Sequence, residues 1–312
     1  MKKVVDFFEF RCSLPGTQPL SLLQNLSLEL YEDRICALIG ESGSGKTTTG
    51  LSLLRLHPFQ TEGKIFYHEQ DLLSLSEKEM REIRGNRISM IFQDPQAAFN
   101  PVFPVGDQIL EAYRLHHKSS IEEAESAVCS MLEKVQLPLG EKAFQIYPHQ
   151  LSGGMKQRAM IAMALITNPD VLIADEPTTA LDLTIQKEIL ELIKEMKRVR
   201  KMAVLLISHD IGVVQFLADD VAVLYGGEIM EYGMKEEVCA QPLHPYTRAL
   251  FQARPHAETK QKRLPTIKGV APSIKERPSG CPFHPRCEHC MEKCKRGEVP
   301  FFQKRVRCWL YE

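Results

Sequence analysis

Residues 40–47 read Gly-Glu-Ser-Gly-Ser-Gly-Lys-Thr, and this segment constrains the fold more than any other part of the chain. The apolar run at 36–39 precedes it and is typical of a short buried strand. Because the glycines of the segment lack a Cβ atom, the backbone N–H groups can approach an anion closely. A helix is expected from Gly45 or Lys46 through Leu54, and its N-terminus favours negative charge. The pattern therefore predicts a strand, a phosphate-binding loop and a helix, in that order.

The phosphate loop, residues 40–47, supplies the side chains that we expect to bind a nucleotide and its magnesium ion. Lys46 is expected to reach the β- and γ-phosphates, and the Thr47 hydroxyl is expected to bind Mg²⁺. The remaining ATP contacts are expected at the neighbouring positions Gly40, Glu41, Ser42, Gly43, Ser44, Gly45 and Thr48. ATP and Mg²⁺ are therefore the predicted substrate and cofactor.

Two further apolar runs end in polar residues that suit phosphate chemistry. The run at 171–174 is followed by Asp175 and Glu176, and the run at 202–207 is followed by a Ser-His-Asp sequence that contains His209. Such runs are typical of buried parallel strands. Asp175 is expected to hold the Mg²⁺ shell, and Glu176 is expected to act as the general base towards the attacking water. His209 is expected to contact the γ-phosphate.

The order of these and other motifs resembles that of the nucleotide-binding subunits of ABC transporters. Residues 151–158 read Leu-Ser-Gly-Gly-Met-Lys-Gln-Arg, and the first half is similar to the signature of that family. In chain order the segments are similar to Walker A (40–47), the Q-loop (Gln93), the signature (Leu151, Ser152, Gly153 and Gly154), Walker B (171–176), the D-loop (Asp182) and the H-loop (His209). The resemblance implies an α/β fold, namely a P-loop NTPase core with an antiparallel β subdomain, a helical subdomain and a small Cys-rich C-terminal extension.

The resemblance also implies how two such subunits share ATP. The four signature residues, together with Gln157, would face the ATP of the partner subunit, so that ATP joins the two subunits and hydrolysis separates them. A helix that begins near Gly153 would present free N–H groups to that anion. Gln93 would contact Mg²⁺ and the attacking water. The family usually stacks adenine on an aromatic residue of the first strand region, and we assign this role to Phe10 among three nearby phenylalanines.

Three shorter segments narrow the resemblance to the importers of oligopeptides, dipeptides and nickel, and within that group to the D-type ATPases of peptide importers. They are Tyr-Pro-His-Gln at 147–150, Ala-Asp-Glu-Pro-Thr-Thr-Ala-Leu-Asp at 174–182 and Leu-His-Pro-Tyr-Thr at 243–247. The resemblance implies peptide cargo, with nickel or a metal chelate as the alternative. It also implies a second ATPase subunit, expected to be a paralogue in a heterodimer, two membrane permeases and an extracytoplasmic substrate-binding protein.

Composition and length limit the other classes of function. A net charge of −1 over 312 residues gives no electrostatic case for nucleic-acid binding. No run approaches the ~20 apolar residues of a membrane span, and no signal-type stretch follows the N-terminus. We therefore expect a cytosolic chain held at the cytoplasmic face of the cell membrane by its permeases. The expected layout is an ABC nucleotide-binding core at 1–93 and 166–235, a helical signature subdomain at 94–165 and an importer-type extension at 236–312.

Five of the nine cysteines lie between residues 281 and 308, which in a cytosolic chain indicates a metal site more than disulfides. Thiolates bind an iron–sulfur cluster or zinc, and either needs four ligands. The segment around Cys281 resembles the C-terminal part of peptide-importer ATPases, and the resemblance implies a [4Fe–4S] cluster held by Cys281, Cys287, Cys294 and Cys308. Cys290 is an alternative ligand. Zinc is the alternative metal, because His284 and His289 lie in the same segment.

Other members of the same ATPase class fit this sequence less well. Soluble ABC ATPases that act on DNA or ribosomes usually contain long coiled-coil insertions or two ATPase units in one chain, and neither pattern occurs here. An exporter ATPase is disfavoured by the segment at 243–247 and by the cysteine-rich end. A binding-only ATPase is disfavoured because Glu176 and His209 are both present.

Overall fold

The computed structural model describes residues 1–16, 20–179, 181–253 and 267–312. Its chain divides into two compact units, the first formed by Met1–Leu73 with Leu206–Glu312 and the second by Ser74–Leu205. These two units do not correspond to the three segments expected from the sequence, namely the core, the helical subdomain and the C-terminal extension. The boundaries of those three segments therefore stay a prediction. Residue 180, within the segment at 174–182, lies outside the described residues.

The described residues form both strands and helices, which alternate one for one between residues 171 and 225. In chain order the described strands are β1 (Lys3–Leu14), β2 (Leu20–Tyr31), β3 (Ile35–Ile39), β4 (Gln60–Tyr67), β5 (Gln70–Asp71), β6 (Ile88–Ile91), β7 (Val171–Asp175), β8 (Ala203–Ile207), β9 (Asp220–Tyr225) and β10 (Glu228–Met234). The described α-helices are α1 (Lys46–Leu53), α2 (Glu77–Ile83), α3 (Pro95–Ala98), α4 (Val105–Arg114), α5 (Ile121–Lys134), α6 (Gly153–Leu165), α7 (Leu183–Arg200), α8 (Ile211–Leu217), α9 (Lys235–Ala240) and α10 (Pro245–Gln252). None of the helices in this part of the chain has the length and apolar character that crossing a membrane requires.

The first unit contains an antiparallel sheet with the strand order β2-β1-β4-β5. Its centre is apolar, because Phe7 on β1 lies opposite Leu28 on β2 and Ile65 on β4, and all three side chains are buried. The register of β1 shifts between Phe7 and Phe10, where Glu9 has a φ of 47°. A bulge of this kind interrupts the two-residue alternation of a strand. It therefore allows Phe7 and Phe10, three positions apart, to be buried together.

The same unit contains the buried strands that lead into the phosphate loop. β3 is buried along its whole length and pairs in parallel with β9, so that Ile39 lies opposite Val223. β9 turns through Gly226 and Gly227, whose φ values are 54° and 80°, and its chain returns antiparallel as β10. A Cβ atom on Gly227 would lie 2.2 Å from the carbonyl oxygen of Leu22, so this tight turn requires a glycine there. The end of β3 thus delivers the chain to residue 40 from a buried, well-paired strand.

The second unit combines the parallel pair β6 and β7 with the helices α2–α7. α5 begins with a capping box between Ser120 and Glu123, and its core face is formed by Ala124, Val128, Met131 and Leu132. α6 is buried along most of its length, whereas Ser152 and Gly153 at its start are exposed. The packing of α6 therefore holds its N-terminus in place at the surface.

The C-terminal segment, residues 267–312, contains short 3₁₀ turns and is attached to the backbone of β10. The Tyr232 N–H donates to the Arg305 carbonyl, and the Arg307 N–H donates to the Met230 carbonyl, each at 2.8 Å. The Arg307 guanidinium also pairs with the Glu228 carboxylate at 3.7 Å. These contacts extend the edge of β10 and tie the cysteine-bearing part of the chain to the first unit.

Candidate functional site

The phosphate loop of the first unit is shaped by glycines at positions that exclude a side chain. Gly43 and Gly45 have φ values of 78° and 105°, in the left-handed region. A Cβ atom on Gly40 would lie 2.1 Å from the carbonyl oxygen of Leu224. α1 begins at Lys46, which agrees with the expected helix start, and none of the described side chains caps its first N–H groups. These N–H groups at a helix N-terminus are therefore available to an anion.

Two polar side chains of the phosphate loop are buried in a way that suits phosphate. Lys46 is 8% exposed, and its Nζ donates to the carbonyl oxygens of Gly40 at 2.9 Å and Glu41 at 3.0 Å. The Oγ of Ser44 is buried and has no hydrogen-bond partner among the described residues. A buried hydroxyl without a hydrogen-bond partner costs free energy, and a phosphate oxygen would accept the hydrogen bond of this one. The other polar side chains near the loop are at least partly exposed, namely Glu41, Ser42, Thr47 and Thr48.

The predicted general base lies in the second unit, directly after β7. Asp175 is 2% exposed at the end of that strand, and Glu176 follows with a φ of 47°. Its Oε2 accepts hydrogen bonds from the Nε2 of Gln93 and from the Oγ1 of Thr179, each at 2.9 Å. The structure therefore brings Gln93 and Glu176 together. Sequence reasoning missed Thr179, although its position three residues after the acid could have indicated it.

The predicted signature forms the start of α6 in the second unit. Ser152 is the N-cap, and its Oγ accepts from the Met155 N–H at 3.3 Å. Gly154 is buried, and a Cβ atom there would lie 3.0 Å from the Cδ1 of Ile185 on α7. Leu151 is 5% exposed, whereas Ser152 and the following glycine are exposed. Leu151 and Gly154 thus anchor the start of this helix, whereas Ser152 and the glycine that follows it face the solvent. Binding an external anion would require this exposure.

Two other predicted site residues make contacts within the second unit. Gln157 is 3% exposed, and its Nε2 donates to the Pro177 carbonyl at 2.6 Å. Asp182 is exposed, and its Oδ1 caps α7 by accepting from the N–H groups of Thr184 at 3.1 Å and Ile185 at 3.0 Å. Gln157 therefore links α6 to the loop after β7, and its burial argues against the predicted contact with the ATP of a partner subunit.

His209 lies directly after β8, close to the strand that leads into the phosphate loop. The N–H of its neighbour Ser208 donates to the carbonyl of Leu38 on β3 at 3.3 Å. The imidazole of His209 is exposed. The first unit therefore places His209 at the strand ends from which the phosphate loop begins, where the sequence predicted a phosphate contact.

The phenylalanine assigned to adenine stacking is a core residue. Phe10 is fully buried, and its ring packs edge-to-face on Phe7 with the centroids 5.7 Å apart. Stacking on adenine needs an accessible ring face, so this geometry argues against Phe10 in that role. The bulge in β1 is the physical reason, because it turns Phe10 into the core while Phe8 remains 53% exposed.

Four of the five cysteines in the C-terminal segment border one small cavity. They are the predicted ligands Cys281, Cys287, Cys294 and Cys308, and His284 and His289 line the same cavity. Cys290 is not among the lining residues, and its Sγ donates to the Met291 carbonyl at 3.7 Å. Burial raises the pKa of Cys281 to about 12 and raises the pKa of Cys287 and Cys308 as well. Burial therefore favours the neutral thiol at these three cysteines, and no three metal-ligating side chains among the described residues are placed around one ion.

His244 also borders this cavity and was not singled out as a site residue by the sequence. It is fully buried, and its Nδ1 accepts from the Tyr246 N–H at 3.0 Å, which leaves the ring proton on Nε2. Nε2 lies 3.9 Å from the Sγ of Cys281. Burial lowers the pKa of His244 to about 3, so the ring is neutral near pH 7. The segment at 243–247 thus contacts the cysteines directly.

A glycine-rich loop between a buried parallel strand and a helix defines the class of P-loop nucleotide-binding proteins. A family model described as ABC transporter matches residues 23–179, and one described as Oligopeptide/dipeptide transporter, C-terminal region, matches residues 230–294. The chain belongs to the family of ABC transporter ATP-binding proteins. It is an ATPase that uses ATP and Mg²⁺, which confirms the predicted class, substrate and cofactor.

Known relatives extend this similarity over nearly the whole chain. The dipeptide transport ATP-binding protein DppD of Bacillus subtilis (strain 168) is 46% identical over 298 residues, which cover 93% of this chain and 89% of the relative. The oligopeptide transport ATP-binding protein OppD of Salmonella typhimurium is 43% identical over 282 residues, 89% of this chain and 84% of the relative. A solved dimeric structure of MJ0796, described as a bacterial ABC transporter cassette, has a TM-score of 0.67 at 27% identity and covers 74% of this chain and 98% of its own. These matches confirm the predicted α/β ABC ATPase fold.

Proposed function

We propose that this chain is the ATP-hydrolysing motor subunit of an importer that takes up oligopeptides or dipeptides. The observation that carries the proposal is the match of residues 230–294 to the C-terminal region of oligopeptide/dipeptide transporters, in the same chain as the ABC transporter match. The relatives described above are named for dipeptide and oligopeptide transport. The alternative cargo, nickel or a metal chelate, has no comparable support.

The proposed roles in hydrolysis rest on the family motifs and on the contacts that the side chains make within each unit. Lys46 and the N–H groups of the phosphate loop would hold the phosphates, and Thr47, Gln93 and Asp175 would be the magnesium ligands. Glu176 polarises the attacking water, while Gln93 and Thr179 keep its carboxylate oriented. His209 contacts the γ-phosphate. In this scheme magnesium neutralises charge on the phosphates, and the residues of this chain orient the water and the nucleotide.

The exposed start of α6 is the proposed contact with the ATP of a partner ATPase. Ser152 and Gly153 are exposed there, and the helix N-terminus favours an anion. ATP binding then closes the pair of ATPases, closure switches the permeases, and hydrolysis separates the pair. Gln157 acts within this scheme by joining α6 to Pro177, not by touching the nucleotide.

The partners proposed for this motor follow from its membership of a transporter family. They are a second ATPase, which we propose to be a paralogue, two membrane permeases and an extracytoplasmic substrate-binding protein. The chain would be held by the permeases at the cytoplasmic face of the cell membrane. Two different ATPases would then form a heterodimer, in which each chain supplies the start of its α6 to the other.

Copurification from native membranes in mild detergent tests the proposed assembly. We expect two permeases, one second ATPase and a substrate-binding protein to accompany the chain. A complex without membrane subunits would contradict the transport proposal and leave the ATPase activity intact. In proteoliposomes of the purified complex, ATP hydrolysis should rise when peptide and binding protein are added. Stimulation by nickel or a nickel chelate in place of peptide would contradict the proposed cargo.

Thr179→Val should lower the rate of ATP hydrolysis and leave ATP binding nearly unchanged. The substitution removes the hydroxyl that donates to Glu176 Oε2 at 2.9 Å. Hydrogen bonds to charged groups contribute about 1.5–3 kcal/mol, and because this one is exposed to solvent the lower end applies, so we expect kcat to fall roughly tenfold at constant KM. Steady-state kinetics measures both constants. The matched control is Thr184→Val, an exposed threonine on α7, and an equal fall in both variants would contradict the proposed role.

We also propose that the cysteines bordering the small cavity hold a [4Fe–4S] cluster. The number and kind of the donors support the proposal, because Cys281, Cys287, Cys294 and Cys308 all border one small cavity and such a cluster is held by four thiolates, although the described side chains are not arranged around an ion. Ligation needs thiolates, so the thiols that burial keeps protonated would release protons on binding. The cluster would then cross-link and stabilise a segment whose described regular elements are short 3₁₀ turns. Zinc, with His284 or His289 as a ligand, is the alternative.

Replacing Cys281 and Cys287 together with Ser should abolish bound iron and lower the unfolding temperature of the chain. Two of the four thiol ligands would be lost, and the segment would lose the cross-link that the cluster provides. Iron, sulfide and zinc analysis of chain purified without oxygen measures the content, and calorimetry measures the stability. The control is Cys129→Ser, because Cys129 belongs to α5 and not to the cysteine-rich segment of the sequence. Stoichiometric zinc without iron would support the zinc site, and equal iron in parent and double variant would refute the proposed ligands.

A further inference from the structure

We propose that Arg286 and Tyr246 are positioning residues for nucleotide binding: together they fix Glu41 and so hold the phosphate loop in its binding shape. The inference rests on the proposed function, since it assumes that residues 40–47 bind the phosphates of ATP. Glu41 occupies a variable position of the phosphate-loop motif, where the motif itself requires no particular side chain. All three residues belong to the first unit.

Arg286 pairs with the Glu41 carboxylate through both of its terminal nitrogens. Nη1 lies 2.6 Å from Oε2, and Nη2 lies 3.2 Å from Oε1. The Arg286 side chain is 5% exposed and that of Glu41 is 27% exposed, so water screens this ion pair only in part. A bidentate pair of this kind fixes the orientation of both side chains.

The guanidinium of Arg286 is itself held from several sides. Its Nη1 also donates to the hydroxyl of Tyr225 at 3.1 Å, and its Nε donates to the carbonyl of Lys268 at 2.8 Å. The group lies over the rings of Tyr225 and Phe283, 5.8 and 5.9 Å from their centroids. A surface arginine would lose its geometry readily, whereas these contacts give Arg286 one defined position from which to hold Glu41.

Tyr246 holds the backbone of the same residue. Its hydroxyl accepts the Glu41 N–H at 2.8 Å, and its ring is fully buried. The ring packs on Tyr225 with the centroids 4.5 Å apart and on Phe283 at 5.3 Å. Within the phosphate loop, the carbonyl of Glu41 accepts from Lys46 Nζ at 3.0 Å. The N–H, the carbonyl and the carboxylate of Glu41 are therefore all engaged, two of them by residues far away in the chain.

Two physical consequences for ATP follow from this arrangement. A loop already held in its binding shape loses less conformational freedom when the phosphates arrive. In addition, a carboxylate without a cationic partner in a phosphate loop would repel the anionic substrate. Arg286 neutralises that charge. Because Arg286 lies next to Cys287 and Tyr246 lies two residues after His244, both contacts come from the part of the chain that borders the cysteine cavity.

Arg286→Met should weaken ATP binding roughly tenfold, because the loop loses a contact and the Glu41 charge loses its partner. The fall should be in affinity and KM, with kcat changed less than about twofold, since Arg286 has no part in the proposed chemistry. Adding Glu41→Gln to Arg286→Met should restore much of the affinity by removing the uncompensated charge. Tyr246→Phe should weaken binding severalfold by leaving the Glu41 N–H without its acceptor.

Calorimetric titration of the full chain with ATP, together with thermal unfolding and steady-state kinetics, distinguishes the outcomes. Arg296→Met is the control, because Arg296 is an exposed arginine of the same segment. Affinities of Arg286→Met and Tyr246→Phe within twofold of the parent would overturn the inference. So would a loss in Arg286→Met that Glu41→Gln does not relieve, because the effect would then be general destabilisation. If Lys46→Ala binds ATP normally, the proposed phosphate site fails, and the inference fails with it.

Discussion

Glu176→Gln should abolish most ATP hydrolysis while leaving ATP binding intact, and it should trap a closed dimer of ATPases. Glutamine can still accept the hydrogen bonds that Gln93 and Thr179 donate to the Glu176 side chain. It cannot take a proton from water, and the loss of a general base typically costs ~10²–10⁴ in rate. Steady-state hydrolysis gives the rate, and size-exclusion chromatography with ATP and Mg²⁺ detects the dimer.

The matched control for this prediction is Glu195→Gln, which makes the same change at an exposed position of α7. It should hydrolyse ATP at the parental rate. Parental turnover by Glu176→Gln would show that another group activates the water. A variant that loses both binding and turnover would instead point to a structural role, because the Glu176 backbone is in the left-handed region and its carbonyl accepts from the Thr179 N–H at 3.1 Å.

Lys46→Ala should weaken ATP binding by roughly two orders of magnitude, since a charge-assisted bond to phosphate contributes about 1.5–3 kcal/mol. Lys46 is nearly buried and already points its ammonium into the phosphate loop, at the carbonyls of Gly40 and Glu41. Phosphate oxygens would take over this donor when ATP binds. Isothermal titration of the full chain with ATP measures the affinity.

Lys275→Ala is the control for the phosphate-loop lysine, because it removes the same side chain from an exposed position of the first unit. It should bind ATP as the parent does. A second variant, Lys46→Arg, keeps the charge and tests whether geometry matters as well as charge. If Lys46→Ala retains parental affinity, the loop at 40–47 is not the phosphate site.

The elements that could be predicted from the sequence are those built from contiguous residues. The apolar run at 36–39, the glycines of the loop and the helix that begins at Lys46 are all present as expected. The signature helix α6 likewise begins at Gly153, as expected, with Ser152 as its N-cap. In each case neighbouring side chains and the backbone they share decide the conformation. The family match confirms the class of protein that these motifs indicated.

Other expectations depended on details that periodicity does not reveal. Phe10 was assigned to adenine, yet a bulge at Glu9 turns its ring into the core beside Phe7. Gln157 was grouped with the exposed signature, yet it faces Pro177 inside the second unit. A one-residue change of strand register reverses the face to which a side chain points. The bulge that turns Phe10 inward cannot be read from composition or spacing.

The sequence by itself determined the phosphate loop, the strand-end acids, the signature helix and hence the ABC ATPase class, because each is specified by residues close together in the chain. Only the tertiary structure decided which distant side chains meet. Arg286 reaches Glu41 across 245 positions, Tyr246 reaches it across 205, and Gln93 reaches Glu176 across 83. Such contacts depend on how strands pair and aromatic rings pack, and burial then sets the strength of the resulting ion pairs and hydrogen bonds.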